Sequence, residues 1–469
     1  RNLLFVSGES LTGRLDCGTQ GVAEAVSRDR LRGLRIFDIS DVRNPRNVGN
    51  VQTCRGSHTH TVLVDPDDAE HVYVYISGSA AVRPEAELPG CSAAPPEEDP
   101  NSALFRIEVI RVPLADPAAA AIVSSPRIFS GLVAPPRHGN APGDRADSAR
   151  SAAPEGPRPG PTQCHDITVY PAIGLAGGAC EGYGMLLDIS DPVDPKRLVA
   201  VADSNFSYWH SATFNNDGTK LLFSDEWGGG NDAKCRATDP KEWGANAIFT
   251  IENRQLRFRS YYKLPVPQTA LENCVAHNGS LIPIPGRDVM VQAWYQGGIS
   301  VFDWTDPDHP VEIGFFDRGP ADATRMGDGG SWSAYWYNGV IVSSEIARGL
   351  DILELVPSAY ISQNEIDAAN SVRLDYLNVQ GQPRFTWPPT FALARAYLDQ
   401  LERSAGLAPD RIAAARRELA AAENATGMAR HDVLHQLARK LDGDVSRARD
   451  SAKLGLLADA VRRLAGGMP

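Results

Sequence analysis

One strand opening recurs four times along the chain with histidine in the same place. It reads His58-Thr59-His60-Thr61-Val62, His165-Asp166-Ile167-Thr168-Val169, His210-Ser211-Ala212-Thr213-Phe214 and His277-Asn278-Gly279-Ser280-Leu281. Each copy is His, two variable residues, a hydroxyl residue and an apolar residue. Four copies imply a repeat architecture that sets four imidazoles at equivalent positions, a constraint on fold and chemistry together.

Two further repeats interleave with the first. Gly33-Leu34-Arg35-Ile36-Phe37-Asp38-Ile39-Ser40-Asp41 returns as Tyr183-Gly184-Met185-Leu186-Leu187-Asp188-Ile189-Ser190-Asp191 and as Gly298-Ile299-Ser300-Val301-Phe302-Asp303-Trp304-Thr305-Asp306, with a degenerate copy at Gly349-Leu350-Asp351-Ile352-Leu353-Glu354. The first three run on into Pro45, Pro195 and Pro310, the signature of a tight turn and a return strand. Val6-Ser7-Gly8-Glu9, Phe223-Ser224-Asp225-Glu226 and Val342-Ser343-Ser344-Glu345 each close an apolar strand on a carboxylate. The order is His-strand, Glu-strand, Asp-Ile-Ser strand and return strand. Four antiparallel strands per unit make a propeller blade. The expected fold is therefore all-β, a propeller of about six or seven four-stranded blades over residues 1–390, followed by a small helical bundle over 391–469. Units are expected at 1–52, 54–131, 164–205, 208–268, 274–318 and 330–357. The first lacks an innermost strand, which is expected upstream of Arg1.

A chain of 469 residues exceeds one ordinary compact domain, but a propeller grows by adding blades, each with its own core layer. The formal net charge of −12 argues against a nucleic-acid or anionic-membrane binder. No apolar run reaches the roughly 20 residues that span a bilayer. Residues 132–163, rich in Ala, Pro, Gly, Arg and Asp without hydrophobic period, read as a mobile insertion loop.

Cysteine placement bears on compartment. Cys54, Cys164 and Cys274 stand near the start of a His-strand, whereas Cys17, Cys91, Cys180 and Cys235 follow the second strand of a unit. In a blade these two places share a rim. Disulfides Cys54–Cys91, Cys164–Cys180 and Cys235–Cys274 are expected, with Cys17 left over for a partner upstream. Stapled rims imply an oxidising setting: periplasmic, extracellular or cell surface.

Beyond residue 390 the pattern turns helical. Pro409 suits a first turn, Ile412, Ala415 and Leu419 share one face, and Gly427 is placed to end that helix. Leu434, Leu437 and Leu441, then Leu457, Val461 and Leu464, mark two more stripes. Such short helices need each other or a partner, so the tail is expected to dock on the propeller, bind a partner protein or mediate self-assembly.

The Gly-Leu-x-Ile-Phe-Asp-Ile-Ser-Asp strings with their following prolines resemble those of LVIVD-repeat proteins, a β-propeller family of exported and surface proteins in bacteria and archaea. The resemblance covers roughly residues 1–356. It implies a propeller and export, and is nearly silent on chemistry. Ser224-Asp225-Glu226-Trp227-Gly228 is similar to the Glu-Trp-Gly strings of selenium-binding proteins and methanethiol oxidases, a likeness that implies histidine-bound copper in a propeller.

Residues that open the innermost strand of a blade sit at one mouth of the central channel. His58, His165, His210 and His277 are expected to converge there, with His60 leaving the same strand face as His58 and Glu9, Glu226 and Glu345 near the same rim. In the next unit Ser331-Trp332 takes the slot. Imidazoles and carboxylates so gathered can hold copper, iron, manganese or zinc. The alternative is a ring of imidazoles tying each blade to the next through backbone carbonyls. Trp209, Trp227, Trp294 and Trp332, with Tyr208 and Tyr295, either wall a pocket beside this ring or pack between blades. No phosphate loop, no Gly-x-Ser-x-Gly elbow and no nucleophile beside a base is present. Two functions follow: an exported binding or structural protein with a metal in the ring, or a copper-type oxidoreductase acting on a small molecule at the channel mouth.

Overall fold

The computed structural model describes residues 2–136 and 160–466. Its strands form six antiparallel sheets, the blades of a six-bladed propeller. Blade 1 holds β1 (Leu3–Gly8), β2 (Gly33–Asp38) and β3 (Arg46–Gln52). Blade 2 holds β4 (Thr59–Leu63), β5 (His71–Ser77), β6 (Glu108–Pro113) and β7 (Ala121–Ser124). Blade 3 holds β8 (Cys164–Tyr170), β9 (Leu175–Cys180), β10 (Tyr183–Asp188) and β11 (Lys196–Val201). Blade 4 holds β12 (Trp209–Phe214), β13 (Lys220–Asp225), β14 (Asn246–Glu252) and β15 (Gln255–Tyr262). Blade 5 holds β16 (Gly279–Ile282), β17 (Val289–Ala293), β18 (Ile299–Asp303) and β19 (Val311–Phe316), and blade 6 holds β20 (Ser331–Tyr337), β21 (Val340–Glu345) and β22 (Gly349–Leu353). Blade 1 carries three strands, as expected of a unit without its innermost strand, and blade 6 carries three where four were expected.

The Asp-Ile-Ser-Asp repeat has a local cause. The first Asp of each copy accepts a hydrogen bond from the backbone two residues on: Ser40 N–H to Asp38, Ser190 N–H to Asp188 and Thr305 N–H to Asp303. The second Asp does the same, to Arg43, Val193 and Asp308. These side-chain turns reverse the chain between the third and fourth strands. A β-bulge then follows at equivalent sites, between Ile36 and Phe37, Leu186 and Leu187, and Val301 and Phe302, raising the twist a blade needs.

The hydroxyl residue three places after the histidine finds its role in three of the four copies. Thr61 donates to the Ile167 carbonyl of the next blade, Thr168 donates to Ala212 O at 2.7 Å, and Ser280 accepts from Trp336 N–H at 2.9 Å. Adjacent innermost strands are tied by these hydroxyls. Sheet faces meet through apolar clusters, of which that around Trp294, Trp304, Phe302 and Met290 in blades 5 and 6 is fully buried at its centre.

All three expected disulfides are present: Cys54–Cys91, Cys164–Cys180 and Cys235–Cys274. Cys17 is exposed and unbridged. Most of the expected insertion loop, residues 137–159, lies outside the described residues.

After blade 6 come α1 (Gln363–Ala369), α2 (Phe391–Arg403), α3 (Pro409–Asn424), α4 (Gly427–Asp444) and α5 (Ser451–Gly466). Ser362 and Glu365 form a reciprocal capping box on α1, Thr390 caps α2, and Pro409 opens α3. Ile412, Ala415, Leu419, Leu434, Leu437, Leu441, Leu457 and Val461 share one buried core. Gly427 begins α4 at φ +54° instead of ending α3, which stops at Asn424; its tolerance of positive φ serves the sharp entry into the next helix. The tail packs on the β16–β17 turn of blade 5. There the Gln400 amide donates to Pro285 O, Lys453 Nζ donates to Gly286 O, and Arg287 pairs with the buried Glu365.

Between α1 and α2 the chain crosses the channel at the end opposite the histidines. Val169 N–H donates to Gln380 O at 2.9 Å, and Gln382 N–H donates to Val169 O at 2.8 Å. The Asn378 amide donates to Val62 O at 2.7 Å. This segment satisfies backbone groups that an innermost strand otherwise leaves bare. Beside these contacts a cavity of about 460 Å³ lies between the segment and the channel walls, lined by Val62, Thr213, Leu281, Tyr335 and Leu377 among others.

Candidate functional site: a histidine and carboxylate cluster at the channel mouth

Four imidazoles stand in a row around the mouth. Ring centroids lie 4.4 Å apart for His58 and His165, 3.9 Å for His165 and His210, and 4.0 Å for His210 and His277. Backbone irregularity aims two of them. Between Cys164 and Ile167 the β8–β9 register shifts, and between Trp209 and Ala212 the β12–β13 register shifts. A bulge re-aims the side chains it carries, and here it carries His165-Asp166 and His210-Ser211. An equivalent shift at Ser331 to Ser333 carries Trp332, which occupies the slot in blade 6.

Each imidazole has distinct partners. His58 Nδ1 meets Glu9 at 2.8 Å, and His165 Nδ1 meets Asp166 at 3.0 Å. A carboxylate only accepts, so both Nδ1 atoms carry protons and donate. The two Nε2 atoms then face each other at 2.8 Å. Two lone pairs repel at that distance, so the contact needs a cation between them: a proton or a metal ion. The Glu9 hydrogen bond raises the pKa of His58 above its ordinary value, against the effect of its burial.

His210 is the reverse case. It is 1% exposed, and both of its ring nitrogens are buried without a hydrogen-bond partner. Burial, followed by the neighbouring His165, His277 and His58, pushes its pKa well below the ordinary value. It is a neutral ring with an uncommitted lone pair. Glu226 stands close by, Oε2 at 3.7 Å from His210 Nε2 and Oε1 at 3.5 Å from His277 Nε2. Glu226 Oε1 also accepts from the Tyr295 hydroxyl. His277 Nε2 accepts from Trp332 Nε1–H at 2.9 Å, so its lone pair is committed and its Nδ1 is left buried and unpaired.

One donor atom each from His165, His210 and Glu226 lies within 4.8 Å of the others. Two nitrogens bound at about 2.0–2.1 Å to one tetrahedral ion stand about 3.3 Å apart. Closing these separations, 4.8 Å at most, by up to about 1.5 Å brings two imidazoles and one carboxylate to such an ion, with His58 2.8 Å from His165 beside it. That set suits zinc, copper, iron or manganese.

The remaining expected residues lie elsewhere. His60 turns to blade 1, where its Nδ1 meets Ser7 Oγ at 2.8 Å and its ring faces Phe5; burial lowers its pKa to about 4. Glu345 accepts from Gly330 N–H at 2.8 Å and pairs with Arg348 at 3.3 Å. Its other oxygen is buried without a partner. Trp209 packs on Phe206 and Phe223, and Trp227 stacks on Trp243 at 4.4 Å. Trp294 is fully buried; Trp332 alone of the four tryptophans is exposed. No imidazole of the ring donates to a neighbouring blade's carbonyl among the described residues; the hydroxyls do that. Asp166 is the member that sequence reasoning passed over, although it was legible as the carboxylate adjoining His165. Tyr295, expected beside the ring as a pocket wall, instead reaches Glu226 with its hydroxyl from a turn at positive φ (52°).

No family model matches the chain, and no curated protein matches it. Solved propellers do. A protein from Lactobacillus plantarum matches at 12% identity over 74% of this chain and 77% of its own, with a TM-score of 0.43. The periplasmic gluconolactonase of Pseudomonas aeruginosa matches at 12% identity over 81% and 83%, also with a TM-score of 0.43. A putative 6-phosphogluconolactonase from Bacteroides uniformis matches at 13% identity over 71% and 87%, with a TM-score of 0.34. At such identities and scores these likenesses leave the chemistry of the mouth to its own residues.

Proposed function

We propose that this chain is an exported β-propeller that holds one transition-metal ion at its channel mouth through His165, His210 and Glu226, with His58 completing the set, and that it serves as a binding protein outside the cytoplasm. The observation that carries the metal is His210. A buried imidazole with both nitrogens unpaired costs about 1–3 kcal/mol, and a buried carboxylate beside it costs more unless a cation is near. One metal ion answers both. Export is supported by three disulfides and by the resemblance to LVIVD-repeat proteins. No helix among the described residues is long and apolar enough to cross a membrane.

A second reading is a metal-dependent oxidoreductase. Its support is access: the His58 side chain is 36% exposed, and a three-ligand core leaves positions open for a small molecule.

The test is metal content of natively purified protein by inductively coupled plasma mass spectrometry. About one equivalent of copper, iron, manganese or zinc per wild-type chain, lost in the His165→Ala/His210→Ala double variant, is the expected result. Equal metal in both proteins removes the site. A visible band that changes with an added reductant or small substrate favours the enzyme.

A further inference from the structure

The channel-crossing segment touches more than backbone. Asp166 is fully buried, and its two oxygens do different work. Oδ1 accepts from His165 Nδ1–H at 3.0 Å. Oδ2 accepts from the Gln380 amide at 2.7 Å and from the Asn278 amide at 3.2 Å. Gln380 lies more than two hundred residues further along the chain, in the linker that leads to the helical tail. Its own backbone is fixed, because Val169 N–H donates to Gln380 O and Val169 O accepts from Gln382 N–H. The Asn378 and Asn216 contacts hold the segment on either side, to Val62 O and to Phe385.

We propose that Gln380 is a positioning residue of the channel-mouth site, setting the Asp166 carboxylate that orients His165 and fixes its Nε2 as the metal-facing nitrogen. This rests on the metal reading given above. The physical reason is that a ligating imidazole presents the right nitrogen only if the other nitrogen is held, and the group that holds it needs an anchor of its own. Asp166 can rotate about its χ2 when only Oδ1 is bound; the shorter of its two amide contacts, from Gln380, stops that rotation. The consequence for the fold is specific. The linker that follows the propeller closes one end of the channel and, through two hydrogen bonds in series, sets a ligand at the other end.

The test compares wild type with Gln380→Met, which keeps the side-chain length and removes the donor. Gln380→Asn, which withdraws the amide from Asp166, serves as a second variant should the first fail to fold. Gln382→Met in the same segment is the control, since among the described residues that side chain donates to Pro383 O and not to Asp166. Two readouts are needed: affinity for Zn(II) with the Co(II) absorption spectrum, and the imidazole ¹H–¹⁵N spectrum of histidine-labelled metal-free protein. The expected result is about 10-fold or greater loss of Zn(II) affinity, an altered Co(II) spectrum and a displaced or broadened His165 Nδ1–H resonance in the Gln380 variants. Gln382→Met is expected to match wild type. Wild-type affinity, Co(II) spectrum and resonance in folded Gln380→Met overturn the proposal. Should wild type bind neither metal, the metal reading fails instead, and the resonance alone then decides whether Gln380 positions His165.

Discussion

His210 and Glu226 stand 3.7 Å apart, nitrogen to oxygen, both buried, with no proton shared between them. Glu226 has Tyr295 for one oxygen, while His210 has nothing for either nitrogen. Such a pair is expensive to bury and is retained where a ligand compensates it.

Removing the uncompensated ring should help the metal-free protein. His210→Phe replaces two unpaired nitrogens with carbon at similar volume. Urea unfolding in the presence of a chelator is expected to show a gain of about 1–2 kcal/mol, and the same variant is expected to bind no metal. A loss of stability without metal means that His210 has a partner in the apo-protein.

Glu226→Gln keeps an acceptor for the Tyr295 hydroxyl but removes the charge. Metal affinity should fall at least 10-fold, since an amide is a poor ligand in place of a carboxylate. Chelator competition measures it. Glu345→Gln serves as a comparison, because Glu345 is engaged with Gly330 and Arg348; its metal affinity should stay within about twofold of wild type.

The tail is fastened at Glu365, which accepts from Arg403 and Gln400 and pairs with Arg287 of blade 5. Burial pushes this carboxyl up, but the Arg403 hydrogen bond, the Arg287 charge and the Ser362 N–H outweigh it and hold its pKa below the ordinary value. A depressed carboxylate contributes stability that is present above its unfolded pKa and lost as pH falls through its folded one. Wild type should therefore lose stability below about pH 4.5 more steeply than Glu365→Gln, and the two should converge as the pH drops further. At pH 7, Glu365→Ala should cost about 1–3 kcal/mol: Arg287 keeps Asp303, but the Gln400 amide and Arg403 lose their acceptor. Thermal unfolding from pH 7 to pH 3 checks both statements.

Reduction should matter at three sites and not at a fourth. The bridges Cys54–Cys91, Cys164–Cys180 and Cys235–Cys274 enclose separations of 37, 16 and 39 residues. Chain-entropy arguments assign each about 3–4 kcal/mol. Paired Cys→Ser replacement should lower the unfolding midpoint in each case, whereas Cys17→Ser at an exposed position should leave it unchanged.

Much of this architecture was legible because repeats encode packing. The Asp-Ile-Ser-Asp strings are visible as turns since each Asp side chain bonds locally, and the cysteines are legible because rim positions recur with the repeat. The convergence of His58, His165, His210 and His277 followed from strand order alone. What was not legible depends on rotation about single bonds and on distant segments. His60 shares a strand with His58 yet faces Ser7. The bulges at His165 and His210 insert a residue that no propensity marks. Gln380 has no periodic context, and only the path of the linker through the channel brings it to Asp166. The hydroxyls three residues after the histidines were visible as a pattern, but their service as ties between blades needed the neighbouring strand.

The most direct measurement is an anomalous difference map from a crystal of natively purified protein, collected at the absorption edge of the metal found in solution. The account predicts one strong peak at about 2.0–2.2 Å from His165, His210 and Glu226, at the channel mouth. A clear map with no peak there, or with the metal bound at another place on the chain, contradicts it.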